Sequence, residues 1–258
     1  MKKSARFINP FIRCVLKLIS KADTGELARI PAAGPFIIVL NHINFLEVPV
    51  IHLALLPRKT HGIIKAETWN NRLPAKLADL WEAIPIDRNG IDLNAIRKAG
   101  EVLQAGRILI LAPEGTRSGD GILRTGQGGV VSLALKYRVP IIPVAHYGGE
   151  QFWDNIKTAK RTRIVFKVGP PFTISIERSK VNARIRTEIV HEVMDRIAEL
   201  LPESYRGVYA APESRKPRYL SFLSASENQS VHENQSVHED NSVDEDNSVH
   251  ENPPARDD

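Results

Sequence analysis

Cysteine is all but missing from this chain. Cys14 stands alone among 258 residues, which excludes an internal disulfide and any CxxC metal or redox motif. The chain therefore suits a reducing compartment. Long apolar runs are missing too: no stretch of 18 apolar residues occurs, so there is no conventional membrane span. The sequence has no GxSxG, no GxxxxGKS/T, no HExxH and no complete GxGxxG, which removes the common hydrolase, nucleotide-binding and zinc-peptidase signatures. It also lacks a helix-turn-helix, zinc or RNA-binding signature, and its aromatic residues do not interleave with a basic stripe.

What is present begins with charge. The net charge of +5 hides a split. Residues 226–258 hold ten Asp/Glu and one Arg, giving −9; residues 1–225 hold 34 Lys/Arg and 20 Asp/Glu, giving +14. A body this basic favours an anionic partner: nucleic acid, an anionic membrane or a phosphorylated substrate. The acidic end is a hexapeptide repeat over 227–250, ENQSVH, ENQSVH, EDNSVD, EDNSVH. One valine in six residues cannot offset the entropy of ordering, so 224–258 reads as a disordered acidic tail. Metal binding by His232, His238 and His250 is the weaker reading, because a flexible segment fixes no ligand shell.

At the other end, Phe7, Ile8, Phe11, Ile12, Val15, Leu16 and Ile19 form a helical stripe. Asn9 and Pro10 suggest an N-cap and first-turn proline for a helix over 10–22. Such a helix is about 20 Å long, too short for the ~30 Å hydrocarbon core. Residues 1–22 are therefore expected to form an amphipathic helix lying on a membrane surface, with Arg13 and Lys17 toward anionic headgroups. The plain alternative is a core-packing helix with a solvated basic face. A catalytic Cys14 is not expected within that helix.

Between these ends, strand patterns at 36–40, 62–65, 84–86, 108–111, 141–145 and 163–168 alternate with helical patterns at 47–55, 71–81, 92–104, 128–137 and 180–201. The alternation predicts one α/β domain, over about 23–215, with a mostly parallel central sheet flanked by helices. Functional residues in such sheets gather just beyond the strands' carboxyl ends.

Four short segments follow strands or form one. In Asn41-His42-Ile43-Asn44-Phe45-Leu46-Glu47 an acidic residue stands five positions after a histidine. On one helix those side chains would lie ~140° apart. If they meet, His42 lies in the turn before a helix and Glu47 inside it. A general base with its orienting carboxylate is one reading; a structural histidine at a strand end is the other. Ile84-Pro85-Ile86-Asp87-Arg88 offers a guanidinium for a phosphate, or a plain salt bridge. Pro113-Glu114-Gly115-Thr116-Arg117-Ser118 combines an acceptor, a hydroxyl and a cation around a glycine that permits close backbone approach, or is a polar turn. Val139-Pro140-Ile141-Ile142-Pro143-Val144 has no reactive group and reads as a buried strand with prolines at its ends or on an edge.

Taken in order, NHxxxxE, IPIDR, PEGTRS and VPIIPV resemble the four motif blocks of the glycerolipid acyltransferase family, which includes the 1-acylglycerol-3-phosphate acyltransferases. The motif region covers about 36–146. Three positions depart from the family pattern: Glu47 replaces the usual Asp, Glu82 replaces a frequent glycine, and Ala112 replaces a frequent aromatic. The resemblance implies transfer of a fatty acyl group from a thioester, acyl-CoA or acyl-carrier protein, to a lysophospholipid hydroxyl, with no cofactor, metal or nucleic-acid partner. It implies His42 as base and Glu47 as its orienter. Arg88, Arg117 and Lys65 would bind an acceptor phosphate, Glu114 would orient the acceptor glycerol, Gly115 would allow its close approach, and Thr116 would complete the substrate-binding set. The expected location is peripheral or monotopic on the cytoplasmic face of a membrane. Another lyso-lipid acceptor, or a basic nucleic-acid-binding protein, are the competing expectations.

Overall fold

A computed structural model describes residues 5–223 apart from positions 89 and 91. The repeat tail from 224, with its three histidines, lies outside the described residues. The elements in chain order are α1 (Ala5–Ile19), β1 (Ser20–Asp23), β2 (Phe36–Leu40), α2 (Glu47–Leu55), β3 (Thr60–Lys65), α3 (Arg72–Leu80), β4 (Ile84–Ile86) and α4 (Leu93–Gln104). They continue with β5 (Ile108–Leu111), α5 (Gly129–Tyr137), β6 (Ile141–Tyr147), α6 (Phe152–Lys157), β7 (Thr162–Val168), β8 (Phe172–Ile174), α7 (Ala183–Ala198) and β9 (Leu220–Phe222).

The strands form one sheet in the order β1-β7-β6-β2-β5-β3-β4, with β8 and β9 attached beside β6. From β6 through β2, β5 and β3 to β4 every neighbour pair is parallel. Strand β7 turns antiparallel to β6. The single α/β domain with a mostly parallel, helix-flanked sheet is thus the fold that the alternation implies. The chain leaves β2 toward β3, returns with β5 between them, and then crosses to β6 on the far side. A reversal of this kind opens a crevice at the carboxyl ends of the strands, here of β2 and β5.

Side chains alternate across the sheet with period two, and both faces are buried. Ile37, Val39, Leu109 and Leu111 face a core built with α4, α5 and α7. Phe36, Ile38, Leu40, Ile108 and Ile110 face a second core with α2 and the turn after β1. Ile38 is fully buried; Ile38→Ala is expected to cost about 2–5 kcal/mol.

Two local expectations change. The N-terminal helix runs 5–19 rather than 10–22, with Pro10 inside it. Asn9 does not cap: it is buried and accepts a hydrogen bond from Trp81 Nε1 at 3.2 Å. Pro10 and Arg6 are both exposed, so the carbonyl that proline's missing N–H leaves free lies at the surface. Ser20 Oγ donates to Leu16 O at 2.7 Å, and 20–23 leave the helix to pair with β7. Pro143 sits inside β6, a central strand, rather than at its end. Its missing N–H faces the β7–β8 connection, where its carbonyl accepts from Gly169 N at 2.9 Å, so no ladder bond to β2 is lost.

Glu82 explains one departure from the family pattern. Its φ is +51°, in the left-handed region that glycine occupies without strain. Ala83 N donates to Ala78 O and Glu82 N to Asp79 O, the paired bonds of a Schellman end to α3.

Candidate active site

Residues 41–47 connect β2 to α2, and nearly every polar group in them is engaged. Asn41 Nδ2 donates to His146 O at 2.8 Å, and Asn41 Oδ1 accepts from His146 N at 2.9 Å. The His146 Nε2–H donates to Asn41 O at 2.8 Å. These three bonds latch β2 to β6 immediately before His42. Burial holds the His146 pKa below the ordinary histidine value, so the ring stays neutral. Asn44 ties the other end of the loop: Nδ2 donates to Gly149 O at 2.6 Å and Oδ1 accepts from Leu46 N at 2.8 Å.

His42 Nδ1 and Glu47 Oε1 are in direct hydrogen-bond contact. The histidine lies in the turn, and Glu47 is the first residue of α2. The glutamate's longer arm still reaches the ring. Its side chain is 1% exposed, while that of His42 is 15% exposed. A carboxylate on the first turn of a helix is favoured by the helix dipole, and Asn44 N donates to its other oxygen at 3.4 Å. Glu47 therefore selects the Nδ1–H tautomer and leaves Nε2 as a free acceptor.

The third motif segment lies alongside this loop. His42 N donates to Glu114 Oε1 at 2.7 Å, and Arg124 N donates to Glu114 Oε2 at 2.9 Å. Ser118 N donates to His42 O at 2.7 Å and Gly119 N to Ile43 O at 3.1 Å. Both backbone groups of His42 are thus held by the loop after β5. Glu114 is 4% exposed, and burial pushes its pKa up to about 7 against the pull of its two backbone donors. Each Glu114 oxygen accepts one main-chain N–H, so the side chain braces the backbone of His42, and each oxygen keeps a lone pair for the expected acceptor glycerol. Gly115 has φ +68° and supplies the left-handed step that turns the chain past Glu114.

The cationic candidates are built differently. Thr116 and Arg117 are exposed on the loop that carries Ser118 against His42. Lys65 and Arg88 are exposed beyond the ends of β3 and β4, two and three strands from β2. With strands ~4.8 Å apart, that is on the order of 10 and 14 Å. The turn holding Arg88 is braced by Asp92, which accepts from Asp87 N and from Ala95 N, both at 2.9 Å, and so caps α4. No described residue forms an ion pair with Lys65, Arg88 or Arg117. The structure therefore brings His42, Glu47, Glu114, Gly115, Thr116 and Arg117 into one cluster. Lys65 and Arg88 stand apart from it, beyond the ends of β3 and β4 at the same end of the sheet. Asn41, Asn44, Arg124 and His146 complete the cluster, and of these only a histidine in an otherwise apolar strand end, AHY, carried any signal in the sequence.

Comparison with known proteins fits this geometry. Residues 23–147 match the model of the acyltransferase family. An acyltransferase domain thus spans β1 to β6. The acyltransferase is similar to a 1-acyl-sn-glycerol-3-phosphate acyltransferase of Bacillus subtilis, 23% identical over 160 residues, covering 62% of this chain and 79% of that protein. It is similar to a protein of the same name from Cocos nucifera, 30% identical over 175 residues, covering 66% of this chain and 55% of the other. The chain spans about half the length of such plant relatives. The crystal structure of the 1-acyl-sn-glycerophosphate acyltransferase PlsC from Thermotoga maritima shares the fold, with a TM-score of 0.51 at 23% identity, over 76% of this chain and 79% of that one.

Proposed function

We propose that the enzyme moves a fatty acyl group from acyl-CoA or an acyl-carrier protein thioester to the hydroxyl of 1-acylglycerol-3-phosphate, giving phosphatidic acid. The observation that carries this reading is the His42–Glu47 contact at the carboxyl end of β2, with the Arg117 loop hydrogen-bonded alongside it. His42 Nε2 takes the proton of the acceptor hydroxyl as its oxygen attacks the thioester carbonyl. The tetrahedral intermediate expels the thiolate, which takes the proton back from the imidazolium. A thioester is already activated, so no covalent enzyme intermediate is needed. Glu47 holds the tautomer and stabilises the imidazolium, while Glu114 holds the backbone that carries the ring. Arg117, Arg88 and Lys65, with no ion-pair partner among the described residues, are cations suited to an anionic headgroup.

The same reading places the enzyme on the cytoplasmic face of a membrane. Among the described residues no helix is long and apolar enough to cross one. Helix α1 instead has two faces. Ala5, Asn9, Ile12, Leu16 and Ile19 point inward, while Phe7, Phe11 and Leu18 are 78%, 68% and 75% exposed. Arg6, Arg13 and Lys17 stand beside that outer apolar face, the composition of an interfacial helix. At the site itself Phe45 packs edge-on against Phe152, and neighbouring Trp153 is exposed.

The test is incubation of purified protein with labelled acyl thioesters and a panel of lyso-lipids. Phosphatidic acid formed faster than any other product supports the assignment. Preference for a zwitterionic or non-phosphorylated acceptor overturns it and leaves the transferase with another lyso-lipid.

A further inference from the structure

On the α2 side of the sheet, away from His42, a groove of about 940 Å³ opens between α1, α2 and β1. It shares no lining residue with the histidine cluster. Its floor is apolar: Leu27, Val50 and Leu53 are buried, and Leu16 and Leu56 half-buried. Its rim carries five cations, Arg13, Lys17, Lys21, Arg58 and Arg161, and the lining contains no Asp or Glu.

No described carboxylate pairs with any of the five. Arg13 Nη2 donates to Leu53 O at 2.7 Å, and Arg161 donates through Nε and Nη2 to Ser20 O at 3.2 and 2.8 Å. Those bonds fix two guanidinium groups without neutralising them. Arg58 Nη1 is shut off from solvent and has no hydrogen-bond partner. A buried unpartnered donor is unusual in a folded protein. Like charges around one cavity also repel unless an anion joins them.

We propose that this groove is a lipid-binding site separate from the catalytic one, holding a single anionic phospholipid. The phosphate sits among Lys17, Lys21 and Arg58, and an acyl chain lies on the floor formed by Leu16, Val50 and Leu53. A charged rim over an apolar floor matches an amphiphile, whereas a soluble anion would leave the floor wet. The volume is at the upper end of the ~300–1,000 Å³ typical of small-molecule sites. Occupancy would bridge α1 to α2 and anchor the helix by a specific contact in addition to its outer apolar face. The inference does not rest on the choice of acyl acceptor.

The experiment is calorimetric titration of the full chain with dihexanoylphosphatidylglycerol below micelle formation, beside dihexanoylphosphatidylcholine and inorganic phosphate. The glycerol lipid is expected to bind one per chain and more tightly than either control. Lys17→Gln/Lys21→Gln/Arg58→Gln should weaken it roughly tenfold or more, given the strength of basic residues near anionic lipid. The exposed pair Lys17→Gln/Lys21→Gln, which leaves Arg58 in place, should weaken it severalfold with an unchanged melting temperature. Arg117→Ala should leave binding intact. Equal binding of phosphatidylcholine, equal binding of free phosphate, or an unaffected triple variant would each overturn the proposal. So would loss of binding on Arg117→Ala alone, which would place the lipid in the catalytic site.

Discussion

The histidine loop and the arginine loops stand at the same end of one sheet, and they are held by opposite means. His42 has its N–H on Glu114, its C=O on Ser118 N and its ring on Glu47. Arg117 and Arg88 are exposed, with no described ion pair to hold them. A proton transfer depends on angstrom-scale placement, so the base proposed for it is expected to be fixed from several sides. Capture of a headgroup depends on charge, so long flexible cations serve it. Under the proposed mechanism, the most constrained side chain is the one that moves the proton, and the exposed cations are the ones that meet the headgroup.

Substitutions can break or sharpen that contrast. The largest expected effect is His42→Ala: turnover falls by about 10²–10⁴-fold in a labelled acyl-transfer assay while the fold persists. Next is Glu114→Ala, which orphans the N–H groups of His42 and Arg124. At about 1–3 kcal/mol for each buried unsatisfied donor, the melting temperature drops and turnover drops with it. Arg117→Ala spares both fold and turnover but raises the apparent KM for a phosphorylated acceptor. If phosphorylated and non-phosphorylated acceptors suffer equally, Arg117 does not read the phosphate.

A smaller effect follows from pH. The folded Glu114 pKa of about 7 lies above the ordinary value of 4.5, so the folded protein holds this proton more tightly than the unfolded chain. The stabilisation is therefore complete below about 4.5 and is lost as pH rises through about 7. Melting curves of wild type and Glu114→Gln should show the wild-type advantage shrinking between pH 5 and 8. A widening gap would contradict the burial assigned to this carboxylate. The smallest effect is Glu82→Gly. It relieves a left-handed residue worth about 1 kcal/mol and loses an exposed ion pair with Arg107 at 3.6 Å, itself worth about 0–1 kcal/mol. The melting temperature should move by a few degrees at most.

How much of this could be read in advance follows the range of the interactions. Six strand patterns and five helix patterns announced the sheet, because their periodicity is local. The HxxxxE spacing and the chain's alternation also placed His42 in a turn and Glu47 on a helix. The strands β1, β8 and β9 escaped notice: unlike the all-apolar 84–86 and 108–111, the equally short SKAD, FTI and LSF mix polar and apolar residues. Pro10 misled because its helix-starting preference is overridden by Asn9 burying against Trp81. The Asn41–His146 latch joins residues 105 apart, and nothing local signals it. The sequence likewise cannot show that Glu114 receives two main-chain donors, from His42 and from Arg124.

The central claim is that Glu47 works only through His42. A double-mutant cycle on turnover at saturating acceptor tests it most directly. Glu47→Ala alone should slow the enzyme, and His42→Ala/Glu47→Ala should be no slower than His42→Ala. Losses that multiply in the double variant would show that the two side chains act independently, and the dyad would be dismissed.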